Sequence, residues 1–148
     1  MSYEDRDWIR EPRPRGWGLG WLPPWGALVA VTVAAFIVQA AVANGSAAGD
    51  AFIDDHLALN RRALLSGEAW QAVTYLLLHG GLGHLFWNMV GLYAFGSILD
   101  DLISRRGFYL HYLLGGVAGA AAYVLGGGEA RVVGASGAVM TIIVGTAL

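Results

Sequence analysis

Charged residues in this chain fall in short clusters, and between them lie four windows with no Asp, Glu, Lys or Arg. The windows run from Gly16 to Gly49, Ala69 to Leu99, Gly107 to Gly128 and Val132 to Leu148, or 34, 31, 22 and 17 residues. An α-helix rises about 1.5 Å per residue, so about 20 apolar residues cross a hydrocarbon core roughly 30 Å thick. The windows predict four hydrophobic segments: Trp25 to Ala43, Leu82 to Leu99, Phe108 to Leu125, and Gly134 to the end. The remaining polar chain is too short to wrap four such segments in water. The expected fold class is all-α, a polytopic membrane helical bundle of four transmembrane segments with the fourth incomplete. Residues 1–24 read as a charged cytoplasmic N-terminal tail and residues 25–148 as the membrane domain.

The first segment has a rival reading as a cleaved signal peptide, since Ala41-Val42-Ala43 fits a signal-peptidase site. Its flank is long and contains Glu4, Asp5, Asp7 and Glu11, and its apolar run exceeds the usual h-region. Trp17, Trp21 and Trp25 recur every four residues, as in an interfacial aromatic belt, and Pro23-Pro24 stands where a helix starts. These features favour a retained span. Arginine counting then sets the orientation. With the N-terminus inside, Arg6, Arg10, Arg13, Arg15, Arg105 and Arg106 are cytoplasmic, and Arg61, Arg62 and Arg131 are outside. The expected location is a bacterial plasma membrane, crossed several times.

Composition narrows the chemistry. Hydrophobic residues make up 56% of the chain and charged residues 14%, with a mean hydropathy of +0.53; soluble domains carry about 25% charged residues. The net charge of −2 leaves no basic excess for nucleic acid, so no nucleic-acid partner is expected. All nine cations are Arg, which removes P-loop and Schiff-base lysines. With no Cys there are no disulfides, thiolate metal sites or Cys nucleophile. The long outer loop, residues 44–69, interleaves Ala51, Phe52, Ile53, Leu57, Leu59, Leu64 and Leu65 with Asp50, Asp54, Asp55, Arg61 and Arg62. It reads as an amphipathic interfacial element, with an ordinary solvated loop as the alternative.

Polar side chains at membrane depth work or pair. His84 and Asn88 are four apart and share a helix face near the outer end of the second segment. Such a pair can aim two donors at a developing oxyanion, or can simply hold helices together. Ser136 lies in Gly134-Ala135-Ser136-Gly137 at the outer end of the fourth segment. A Ser at a helix N-terminus has free backbone N–H groups and the positive end of the macrodipole beside it. The plain reading is packing, because Gly137, Thr141 and Gly145 continue a small-residue stripe. Asp100, Asp101, Arg105 and Arg106 most simply end one helix and start the next. Each string is weak alone; together, in this order and each at an outer end, they are more specific.

The run Glu68-Ala69-Trp70-Gln71, then His79, then His84 to Asn88, then Asp100 and the Gly134–Gly137 string resembles the rhomboid family of intramembrane serine proteases. The resemblance covers roughly Gly67 to Leu148. It implies that Ser136 is the nucleophile, that His84 and Asn88 stabilise the oxyanion, and that His79, Gly134, Gly137 and Trp70 support the site. It implies transmembrane protein substrates and the lipid bilayer as partners, and no metal or cofactor. Two departures follow. The family commonly has Trp-Arg where this chain has Trp70-Gln71, and its general base is a His on a later span. Twelve residues follow Ser136, with no His among them. They span about 18 Å, short of a crossing. The expectation is therefore a partial sequence that is inactive by itself. The alternatives are a non-catalytic, pseudoprotease-like binder of membrane helices and, more weakly, a His-ligated metal or haem protein. The last suffers because His79 and His84, five apart, do not share a helix face.

Overall fold

A computed structural model describes residues 22–147. Trp17, Trp21 and nearly all of the expected N-terminal tail lie outside the described residues. The helices are α1 (Pro24–Gly45), α2 (Ala47–His56), α3 (Arg61–Leu65), α4 (Gln71–Thr74), α5 (Leu82–Leu102), α6 (Arg105–Leu125) and α7 (Ser136–Gly145). A 3-10 turn, Tyr75–Leu77, continues α4.

Helix α1 starts at Pro24 behind an extended Pro23, where the missing N–H has no intrahelical partner to lose. Helices α1, α5 and α6 have 22, 21 and 21 residues and are long and apolar enough to cross a membrane. Helix α7 has ten residues, about 15 Å, so the fourth segment is a short apolar helix. Between α5 and α6 the chain turns at Ile103 and Ser104, and the Ser104 hydroxyl accepts the Gly107 N–H at 3.1 Å. The charge cluster predicted this break.

Only 11% of the most apolar stretch of α1 and 28% of those of α5 and α6 are buried. Ile37, Val38, Trp87 and Leu114 point outward. Such a surface would associate in water and is matched by lipid, so the chain is an integral membrane protein. The core is small and joins α5, α6 and α7 through Leu92, Leu99, Phe108, Tyr112, Val139 and Ile142. Without a hydrophobic drive between helices in lipid, small residues let them approach closely. At Gly115 of α6, an added Cβ would fall 1.9 Å from Thr141 Oγ1 of α7. Helix α1 leans on α5, where the Trp25 and Tyr93 rings meet edge-on with centroids 5.1 Å apart.

The loop between α1 and α5 is folded rather than an ordinary solvated loop. Ser46 caps α2 by accepting the Gly49 N–H at 3.0 Å. Ile53, Ala58 and Leu78 bury together. Leu59 and Val132 exchange two backbone hydrogen bonds of 2.9 Å in an antiparallel bridge. Arg131 pairs with Asp54 at 3.1 Å and also with Asp55. The loop is thus tied to the segment that enters α7.

Candidate active site

Helix α5 begins at Leu82, which puts His84 on its first turn and Asn88 one turn further in. His84 is exposed and Asn88 is buried. The Asn88 Nδ2 donates to the His84 backbone carbonyl at 2.9 Å. One Asn88 N–H is therefore spent on its own helix, which fixes the amide and differs from two side-chain donors aimed jointly at one point.

Ser136 opens α7 and is exposed. The first bond of that helix's ladder runs from Val139 N–H to Ala135 C=O at 2.9 Å, so the N–H groups of Ser136, Gly137 and Ala138 precede it. The entry depends on Gly134, whose φ of +118° disfavours any side chain. Its N–H donates to the Tyr75 carbonyl at 2.9 Å. A Cβ there would lie 2.5 Å from His84 Cε1 and 2.6 Å from Nε2. The His84 imidazole thus rests against the backbone two residues ahead of Ser136. The His79 ring meets it edge-on, with centroids 5.1 Å apart. The fold brings His79, His84 and Gly134 together beside Ser136, with Asn88 a turn below.

The remaining predicted residues sit elsewhere. Gly137 faces α6, where a Cβ would be 3.7 Å from the Gly119 Cα and 3.6 Å from the Tyr75 hydroxyl. It therefore belongs to the packing stripe with Thr141. Trp70 anchors the outer loop, its Nε1 donating to the His56 carbonyl at 2.8 Å. Gln71, where the resemblance leads one to expect Arg, is fully buried and organises that loop. It accepts the Asn60 N–H at 2.9 Å and donates to the Asp55 carbonyl and the Glu68 carboxylate at 3.1 and 2.9 Å.

Two supporting residues escaped the sequence reading. Gln39 of α1 grips both backbone groups of His79: Nε2 donates to its carbonyl at 2.9 Å and Oε1 accepts its N–H at 3.0 Å. The signal was a lone amide within an apolar run. The Tyr75 hydroxyl donates to the Gly116 carbonyl at 2.7 Å beneath the site, and no sequence pattern marked it. His79 itself is 1% exposed, and neither ring nitrogen has a hydrogen-bond partner among the described residues. Burial, and then the neighbouring His84, hold its pKa below the ordinary histidine value, with the Leu77 carbonyl acting in the opposite sense.

The other two histidines are engaged elsewhere. His56 lies 3.8 Å from Glu68 and packs on Phe52. His111 Nε2 is 2.7 Å from the Thr141 carbonyl within the α6–α7 contact. Among the described residues no three His, Asp or Glu side chains gather into a metal-binding group.

Comparison with known proteins gives a match to the Rhomboid domain over residues 66–148. RHOMBOID-like protein 5 of Arabidopsis thaliana is 34% identical over 88 residues, covering 58% of this chain and 28% of that protein. YdcA of Bacillus subtilis is 35% identical over 75 residues, covering 50% and 38%. The rhomboid protease GluP of the same organism is 28% identical over 85 residues, covering 53% and 17%. The chain thus spans well under half the length of these relatives. No solved structure matches it.

Proposed function

Because the chain belongs to the rhomboid family, we propose that it carries the nucleophile and oxyanion half of an intramembrane serine endopeptidase that cuts transmembrane protein substrates. Ser136 Oγ attacks the scissile carbonyl. The N–H groups at the start of α7, together with His84 and Asn88, receive the negative oxygen. The observation that carries this reading is the contact between His84 and Gly134, which sets an imidazole beside the backbone leading into Ser136. Donors placed about 2.7–3.1 Å from the developing oxyanion in a low-dielectric site are worth roughly 10²–10³ in rate. His79 acts as a buried wedge that holds the His84 ring in place. In the bilayer, the arginine asymmetry supports a cytoplasmic N-terminus and a site at the outer end.

A serine hydroxyl needs a base within hydrogen-bond reach. His56 and His111 are committed to other contacts, and His79 and His84 pack on each other. These contacts leave no histidine among the described residues assigned as the base, and the 148 residues by themselves are inactive in this reading. A fluorophosphonate probe on the purified chain in detergent tests this. No labelling is expected, and labelling that disappears in Ser136→Ala would overturn the inactivity. The same engagement of the histidines favours a second reading, a non-catalytic binder of membrane helices. Co-purification of a membrane client unaffected by Ser136→Ala would support it.

A further inference from the structure

At the opposite end of the bundle from Ser136, the first turns of α6 form a shallow pocket of about 480 Å³ lined by Arg105, Arg106, Tyr109, Leu110 and Leu113. Its upper rim is cationic and its floor is apolar. Arg105 is held in place: Nη1 donates to the Leu22 carbonyl at 2.9 Å and Nη2 to the Tyr109 hydroxyl at 3.2 Å, with the guanidinium 5.7 Å from that ring's centroid. Since the Tyr109 oxygen accepts there, its own O–H is left to donate. Arg106 is exposed beside it. Asp100 and Asp101 end α5 across the turn, but neither lines the pocket.

Below the arginines the same side of α6 stays apolar and unburied through Leu110, Leu113 and Val117. The buried side of this helix is a different one, carrying Phe108, Tyr112 and Gly116. From Arg105 to Val117 the rise is about 18 Å, comparable to one leaflet of hydrocarbon. A fixed cationic rim above a strip of exposed aliphatic side chains matches one amphiphile, with an anionic head and an alkyl tail. Basic pockets at the membrane surface select anionic headgroups in this way.

We propose that this pocket is a binding site for one anionic phospholipid of the surrounding bilayer. The phosphodiester sits on Arg106 and the Tyr109 O–H, with Arg105 adding charge from behind. One acyl chain runs along Leu110, Leu113 and Val117. Arg105 ties the start of α6 to Leu22 at the start of α1, so the lipid would bridge the ends of two spans. The site does not depend on the catalytic reading.

Native mass spectrometry of the detergent-purified 148-residue chain tests the proposal, with phosphatidylglycerol and phosphatidylcholine offered at equal concentration. One phosphatidylglycerol should be retained in preference. Arg106→Gln should weaken that retention about fivefold, and Arg106→Gln with Tyr109→Phe more. Arg131→Gln, which removes a cation from the outer loop, should leave it unchanged. Leu113→Ser should weaken retention while inorganic phosphate at millimolar concentration fails to displace the lipid. Equal retention of the two lipids, or full retention by the Arg106→Gln variant, would overturn the proposal. So would displacement by inorganic phosphate, which would mark a simple anion site. Helical circular dichroism of each variant confirms that a loss of binding is not a loss of fold.

Discussion

The two hydrogen bonds from Gln39 to the backbone of His79 make the sharpest stability prediction. Gln39→Met preserves side-chain length and removes both bonds, the 2.9 Å donation to the carbonyl and the 3.0 Å acceptance from the N–H. His79 is 1% exposed, so water does not readily replace the amide. An orphaned buried backbone group costs about 1–3 kcal/mol, whereas interhelical hydrogen bonds in membranes measure nearer 0.6 kcal/mol each because the unfolded helices find other partners. Two bonds to one peptide unit therefore place the loss at about 1–3 kcal/mol. Ile37→Met, on an α1 position that is 63% exposed, is the control and should stay within about 0.5 kcal/mol of wild type. Reversible unfolding in mixed SDS micelles, followed by tryptophan fluorescence, gives both values. If the two variants unfold together, Gln39 does not hold the His79 segment and α1 is not coupled to the site.

Gly134→Ala meets both an unfavourable φ of +118° and an imidazole 2.5 Å away. It should displace His84 and cost at least about 1–3 kcal/mol, with a changed His84 imidazole NMR signal as the readout. Gln71→Leu leaves the Asn60 N–H and Asp55 carbonyl unpaired, and should raise the rate of limited proteolysis within residues 57–70 while leaving α6 and α7 protected. The lowered pKa of His79 means that the unfolded chain binds the proton more readily than the folded one. Stability should then be full above the ordinary histidine value of about 6.5 and fall as pH drops through it towards the folded value. His79→Phe should flatten that acid limb in the same unfolding assay.

Charge-free windows reveal spans because a bilayer penalises every charge, so three helices long and apolar enough to cross and the α5–α6 break were legible from the positions of Arg, Asp and Glu alone. The candidate site was legible in part. His84 and Ser136 were marked by polar groups at the ends of apolar segments, and Gly134 by its place in a small-residue string. What stayed hidden was contact across long sequence distance. Nothing in one chain says that Gln39 reaches His79 forty residues away, or that Tyr75 bonds Gly116. The structural role of Gln71 was hidden in the same way. Sequence marked Gln71 only as a departure from Trp-Arg, whereas the shorter amide, fully buried, uses its oxygen and nitrogen to join three segments of the loop. Gly134 and Gly137 flank Ser136 in sequence and have different tasks, because Gly134 precedes α7 and lies against His84 whereas Gly137 is inside the helix and faces α6.

The central claim is that Ser136 is the attacking group of a membrane-embedded peptidase. Its most direct test is cleavage of a transmembrane reporter in bacterial membranes by the protein expressed from its own genomic locus. The account predicts one cut within or beside the reporter's span, abolished by Ser136→Ala and lowered roughly 10²–10³-fold by His84→Ala. Cleavage that persists undiminished in Ser136→Ala would contradict it.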